Sequence, residues 1–277
     1  MRSARFALAA LALTASSAAA QARQEPNLVF SIGLGLTTGQ QLWDLAKQPL
    51  AVVGTSPAAF DTVHLARWLQ PGIVGVLGVT YFRSQHLGYT LELGYFGLSS
   101  EQRCQGPAAW QPEADSINKQ ACTNAQGQHV ATSVSGMLLG LTWRPLPSSK
   151  IEPYVRIGIG PGIASSTSFV TTTATVESSR CGSGTTACVY FLLDEGNARS
   201  LTWLGSASIG LSYWLGPAYR IRIEARDLVT SITRVTGPAG TTTGGSGKPP
   251  TSTRIVAVPT VTFGLDVVLE RQHTRRY

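Results

Sequence analysis

Charge is what this chain lacks most. Of its 277 residues only 13% are Asp, Glu, Lys or Arg, against roughly 25% in an ordinary soluble domain. The shortage argues against a disordered chain, a coiled coil and a typical cytosolic enzyme. Methionine is scarce, at two residues, and little of the sequence has the three-to-four spacing of a long amphipathic helix, so a helix-rich fold is not expected. Beyond the N-terminus no run reaches the ~18–20 consecutive apolar residues of a transmembrane helix. If such a chain enters a bilayer, it does so as strands. Cysteine is limited to Cys104, Cys122, Cys181 and Cys188, and neither sequence-local pair has the Cys-x-x-Cys spacing of zinc or thioredoxin-like sites.

The N-terminus carries an address. Arg2 and Arg5 precede the apolar run 6–13, and the small residues of 18–22 follow, in the order of a secretory signal. The expectation is a signal peptide at 1–22, cut after Ala20 or Ala22, and one domain over 23–277. Of the 22 basic residues Arg2 and Arg5 are lost, and against 15 acidic ones this leaves a mildly basic +5. Export agrees with the cysteines, which an oxidising compartment would close as Cys104–Cys122 and Cys181–Cys188. Four cysteines allow three pairings. Closing a loop the size of the first would add roughly 3 kcal/mol in the chain-entropy account.

The body alternates with period two, the mark of strands with two different faces. In 87–95 the odd positions are Leu87, Tyr89, Leu91, Leu93 and Tyr95, and the even ones Gly88, Thr90, Glu92 and Gly94. The same alternation runs through 28–37 and 220–226. Eight strands are expected, at about 27–38, 71–82, 87–98, 131–144, 152–167, 201–215, 219–231 and 255–270. Most reach the ~9–11 residues with which a tilted strand crosses a bilayer. Within 73–79 both faces are apolar, which leaves the register of the second strand open.

Long connections (39–70, 99–130, 168–200, 232–254) alternate with short ones (83–86, 145–151, 216–218), as the extracellular loops and periplasmic turns of an outer-membrane barrel do. Alternation alone does not separate such a barrel from a soluble one with its faces reversed. The polar face decides. It holds Gly33, Gly35, Gly94, Gly136, Gly140, Gly158, Gly160, Gly162, Gly210 and Gly264, suited to the crowded interior of eight strands rather than to a wetted surface. If the first strand runs outward, Tyr81, Tyr89, Trp143 and Tyr213 lie towards the periplasmic end and Tyr95 and Trp203 towards the outer one, as two interfacial girdles. Pro161 and Pro259 interrupt strands near the outer rim, where a missing ladder donor is more easily accommodated.

Strand five, Pro153-Tyr-Val-Arg-Ile-Gly-Ile-Gly-Pro-Gly162, and strand seven, Tyr219-Arg-Ile-Arg-Ile-Glu-Ala-Arg-Asp227, resemble recurring strands of the small outer-membrane β-barrel family, the OmpA-barrel, OmpX and OmpW type. The resemblance covers about 27–270. It implies an all-β, eight-stranded antiparallel transmembrane up-and-down barrel, located in the bacterial outer membrane after export and inserted by the barrel assembly machinery. Outer-membrane lipids and lipopolysaccharide would surround it. The family's longer members carry a peptidoglycan-binding domain for which this chain has no room.

Chemistry is sparse. By parity Glu92, Arg156, Arg222, Glu224, Arg226 and Asp266 point into the lumen, a balanced set that pairs across a narrow space as a plug, or lines a narrow ion path. Asp227 falls on the lipid-facing parity and is expected at the outer rim. Of the four histidines only His129, followed by Ser133 and Ser135, is placed for Ser–His chemistry of the lipid A-modifying kind. No metal spacing or cofactor motif stands out, and no basic stripe for nucleic acid. Gly158-Ile-Gly160-Pro-Gly162 looks superficially like a dinucleotide fingerprint but lacks the strand-to-helix context. Segment 240–250 is low-complexity, and in the first long loop 41–46 and 63–69 read as short helices or as strand extensions. The expectation is a non-catalytic barrel with a structural role or a surface ligand for its loops; the alternatives are a narrow channel for small hydrophobic or ionic solutes and a lipid A-modifying enzyme.

Overall fold

The computed structural model describes residues 27–51, 60–111, 117–147, 149–164, 169–177, 187–193, 200–216, 218–242, 245–246 and 248–269. The expected signal segment, Cys181 with its pairing to Cys188, and the tail beyond residue 269 lie outside the described residues. In chain order the elements are β1 (Asn27–Thr37), β2 (Gln40–Ala51), β3 (Phe60–Gln70), β4 (Ile73–Phe82), β5 (Leu87–Gln105), α1 (Ile117–Ala125), β6 (His129–Trp143), β7 (Ile151–Ala164), β8 (Thr172–Glu177), β9 (Ala187–Leu193), β10 (Ser200–Trp214), β11 (Tyr219–Val235), β12 (Thr241–Thr242), β13 (Gly245–Ser246) and β14 (Thr251–Leu269).

Eight of these strands close into a ring. β5–β4–β1–β14–β11–β10–β7–β6 pair in that order, all antiparallel, and β6 returns to β5. They are the eight strands expected from the alternation, and the ring joins the first to the last through ten partner pairs from Leu28–Leu269 to Thr37–Thr260. Closure leaves no free edge inside the ring. Pro161 lies within β7 where the β6–β7 ladder has its gap, between Gly136–Gly162 and Leu139–Ile159. Pro259 lies where β1 leaves β14, so neither proline removes a needed donor; the Pro259 carbonyl still accepts from the amide of Thr38 at 2.8 Å.

Strands of the ring run past it at the loop end. β5 continues to Gln105, seven residues beyond the expected 98, because a second partner waits for it. Its first half pairs with β4 (Gly88 to Phe96) and its second half with β3 (Ser99 to Gln105). The break between β3 and β4 falls at Pro71-Gly72, where a Cβ on Gly72 would collide with the Gly97 carbonyl. The first long loop is therefore a β2–β3 hairpin that extends the barrel wall, rather than short helices. β2 is the edge of this extension, blunted by Lys47, Pro49 and register shifts at Gln41/Trp43 and Leu45/Gln48.

Described residues of the other long loops pack onto that wall. The Cys104–Cys122 disulfide joins the end of β5 to α1. Trp43 Nε1 donates to the Phe169 carbonyl at 2.8 Å, and Arg67 Nη2 to the Thr171 carbonyl at 2.8 Å and Gln102 Oε1 at 2.8 Å. Arg67 is fully buried over the Trp43 ring with no carboxylate paired to it among the described residues. Burial lowers its pKa to about 10, so it remains charged at neutral pH and ties the two loops together as a cation.

Candidate functional site

Each ring strand turns one face out and one in, and the two faces are inverted with respect to a soluble protein. Outward side chains include Phe30, Ile32, Leu34, Leu77, Leu93, Leu139, Ile157, Ile159, Ile209, Ile223 and Phe263, all exposed. Glu92, Glu152, Glu224, Asp266, Arg144, Arg156, Arg220, Arg222 and Arg226 are all buried. A continuous apolar exterior around a charged interior is unstable in water and stable in lipid.

The expected lumen residues are all found inside, and they are paired. Glu92 lies between two guanidinium groups: Arg226 Nη2 donates to its Oε2 at 2.7 Å and Arg156 Nη1 at 3.1 Å. Glu224 Oε1 accepts from Arg226 Nε at 2.8 Å and Nη2 at 2.6 Å, and its Oε2 from the Tyr154 hydroxyl at 2.6 Å. Arg222 reaches Asp266 at 3.2 Å and Glu224 at 3.7 Å. Glycines leave room for these side chains: a Cβ on Gly264 or Gly33 would come within 3.1 or 3.3 Å of Arg222 Nη2. A threonine ladder runs beside the pairs, Thr80 to Thr90 at 3.0 Å and Thr90 to Thr142 at 2.7 Å, and Arg156 Nε donates to Thr142 at 3.1 Å.

A second cluster, nearer the short turns, escaped the sequence reading. Glu152 Oε2 accepts from Arg220 Nη1 at 2.7 Å and from Arg144 Nη1 at 3.2 Å, and its Oε1 from Trp214 Nε1 at 3.0 Å. Arg144 stacks on Phe82 and Arg220 on Trp214, at 3.5 and 3.6 Å from the ring centres. Parity would have found Glu152 and Arg220, which share the inward face with Arg156 and Arg222. Arg144 lies just past its strand, where alternation no longer speaks.

Above the charges the lumen changes character. Val74, Val76, Phe96, Leu98, Val134, Leu138, Leu204, Leu228 and Val258 are inward and buried, in one cluster with Leu50, Leu65, Leu69, Val170, Leu192 and Leu193 of the loops. In the half near the short turns the inward face is mostly small or polar, with Val29, Phe82 and Val268 packed together at its very end. In the other half it is a hydrophobic core shared with the loop dome, which is why 73–79 reads as apolar on both faces.

All six expected interfacial aromatics point outward. Tyr81 pairs with Tyr89, Trp143 with Leu87 and Val155, and Tyr213 with Ile151 near the short turns; Tyr95 and Trp203 sit towards the loops. Tyr219 joins the lower group, exposed at the first position of β11. Asp227 is outward, beside Pro259 and so one position beyond the last β1–β14 pair.

The Ser–His combination is not assembled. His129, Ser133 and Ser135 share one face of β6, and at ~3.3 Å per residue His129 stands about 13 Å from Ser133 along the strand, beyond hydrogen-bond reach. Among the described residues, the histidine that does meet a carboxylate is His64, whose Nε2 is 2.9 Å from Asp44 Oδ1 on the outside of the β2–β3 hairpin. Among the described residues no group of His, Cys, Asp or Glu is placed to hold a metal ion.

Closed ring, apolar exterior and ion-paired lumen together define a β-barrel built to span a bilayer with its strands. The sequence matches no protein-family model, and no curated protein is similar to it. Among solved structures the chain is similar to the outer membrane protein OprG from Pseudomonas aeruginosa (12% identity, TM-score 0.46, over 90% of this chain and 98% of that one). It is also similar to Neisserial surface protein A (8%, 0.40, over 88% and 99%) and to the outer membrane protease OmpT from Escherichia coli (10%, 0.35, over 88% and 97%). The likeness is one of fold, and the barrel itself stands on its own strand register.

Proposed function

We propose that this chain is an outer-membrane barrel that serves as a closed scaffold for a preorganised extracellular dome, through which it binds surface ligands without conducting solutes and without catalysis. The supporting observation is the single apolar core that runs from the outer half of the lumen into the loops, with Leu65, Phe96, Leu98, Leu204, Leu228 and Val258 at its centre. Interiors packed in this way leave no continuous aqueous path, and the ion pairs beneath fill the rest. In this reading the barrel is exported by its N-terminal signal, inserted by the barrel assembly machinery, and surrounded by outer-membrane lipids and lipopolysaccharide.

Planar-bilayer recording tests it against the narrow channel. The refolded chain is expected to be silent, as is Glu92→Ala/Arg222→Ala; discrete openings in the unaltered protein would overturn the scaffold reading. An unchanged lipid A mass profile in cells overexpressing the chain is the matching expectation for the absence of lipid A chemistry.

A further inference from the structure

We infer that the outward face of the β2–β3–β5 sheet holds a site for one neutral pyranose ring of a glycan; the inference rests on the proposed role of the dome as a binding surface. The site is a cavity of about 400 Å3, within the range of small-ligand clefts. Its floor is Ala66, which faces Asp44 across one ladder and Arg103 across the other. On the same strand face its neighbours two residues away are His64 and Trp68, so a methyl group stands where rings stand on either side and the sheet surface is hollow there.

The walls supply both kinds of hydrogen-bonding group. His64 Nε2 lies 2.9 Å from Asp44 Oδ1, and Gln41 Nε2 donates to Asp44 Oδ2 at 3.0 Å. The guanidinium of Arg103 lies over the Trp68 ring, 4.9 Å from its centre, beside the cavity. Gln126 accepts from the Cys104 amide at 2.7 Å, and its side-chain nitrogen has no partner among the described residues. One carboxylate and one guanidinium line the cavity, and the guanidinium is also 3.6 Å from Glu101. A phosphate would meet Asp44 and a cation would meet Arg103, whereas a polyol uses donors and acceptors together, with the indole edge as apolar flank.

Position selects the same chemistry. Arg103, the partner of Ala66, is seven residues along the unbroken β5 from Phe96, the partner of Val74 at the start of β4, which is about 23 Å along the strand at ~3.3 Å per residue. The cavity thus stands beyond the acyl-chain band, at the height of sugars carried by membrane glycolipids or by free glycans.

The test uses the full mature chain in lipid nanodiscs, in two arms. Methyl α-D-glucopyranoside, the galacto and manno forms and maltose are titrated by calorimetry and saturation-transfer NMR; separately, rough-type lipopolysaccharide is incorporated into the discs and its sugar resonances are followed. A response in the first arm assigns the site to free glycans, and a response only in the second assigns it to the glycolipid; either supports the inference if Ala66→Trp and Asp44→Asn each weaken it at least tenfold. Asp44→Asn, an exposed isosteric change, keeps the test valid if the larger substitution disturbs folding. No response in either arm, a response indifferent to both variants, or equal displacement by inorganic phosphate would overturn it. Sugar binding by a barrel that conducts would break the closed-scaffold reading and leave the site standing; silence in the bilayer with no sugar binding would do the reverse.

Discussion

The two halves of the lumen solve the same problem with opposite chemistry. Near the short turns the space is filled by five arginines and four carboxylates, paired along one strand (Arg226–Glu224), between neighbouring strands (Arg222–Asp266, Arg144–Glu152) and across the lumen (Arg226–Glu92). Near the loops it is filled by Val, Leu and Phe. The difference teaches what each filling needs. Buried charge is stable only in complete pairs, so the lower half depends on register between strands distant in sequence. An apolar core needs only volume and complementarity, so it can pass without interruption from barrel to loops.

The sharpest way to break this comparison is to remove one charge. Glu92→Ala leaves Arg156 and Arg226 to share the single carboxylate of Glu224 and is expected to cost about 4 kcal/mol, measured by urea unfolding in micelles. Replacing Glu92 and Arg226 together by Leu and Met is expected to cost much less than the single change, because Arg156 and Glu224, which each lose a partner, still face one another at 3.7 Å. If the double variant is the worse of the two, the lower half is not held by pairing. In the upper half Leu204→Ala, at a fully buried position over Gly136 and Gly162, should cost about 3 kcal/mol through the cavity it leaves.

Smaller effects sharpen the boundary between the halves and the dome. Reducing Cys104–Cys122 is expected to lower dome stability by about 2–3 kcal/mol, seen as faster hydrogen exchange in α1, while the heat-dependent gel mobility of the barrel is unchanged. Gly264→Ala, which crowds Arg222, should cost about 1–2 kcal/mol. Least of all, raising salt from 0.1 to 1 M should leave the unfolding midpoint almost unmoved, because buried pairs are screened little; a large shift would mean that water reaches the lower lumen.

Much of the barrel was legible before the structure because period two is a strong signal and a closed sheet enforces it. Parity placed Glu92, Arg156, Arg222, Glu224, Arg226 and Asp266 inside. Parity carries no register, so the contact between Glu92 and Arg226, 134 residues apart, had no trace in the sequence. The dome was illegible for a different reason. In β2 the register shifts at Gln41/Trp43 and Leu45/Gln48 break the alternation that would have marked a strand, so helix and strand extension read equally well. The His64–Asp44 pair is hidden in the same way, since it exists only once β2 and β3 lie side by side.

One consequence of the β3–β5 pairing is mechanical. Seven partner pairs, from His64–Gln105 to Gln70–Ser99, join the dome to a strand that continues through the barrel wall. A ligand tugged away from the cell pulls along these strands rather than across them, so the pairs bear the load side by side in shear instead of opening one after another like a zipper. The dome is thus anchored to the membrane in the direction in which a β-ladder resists traction best.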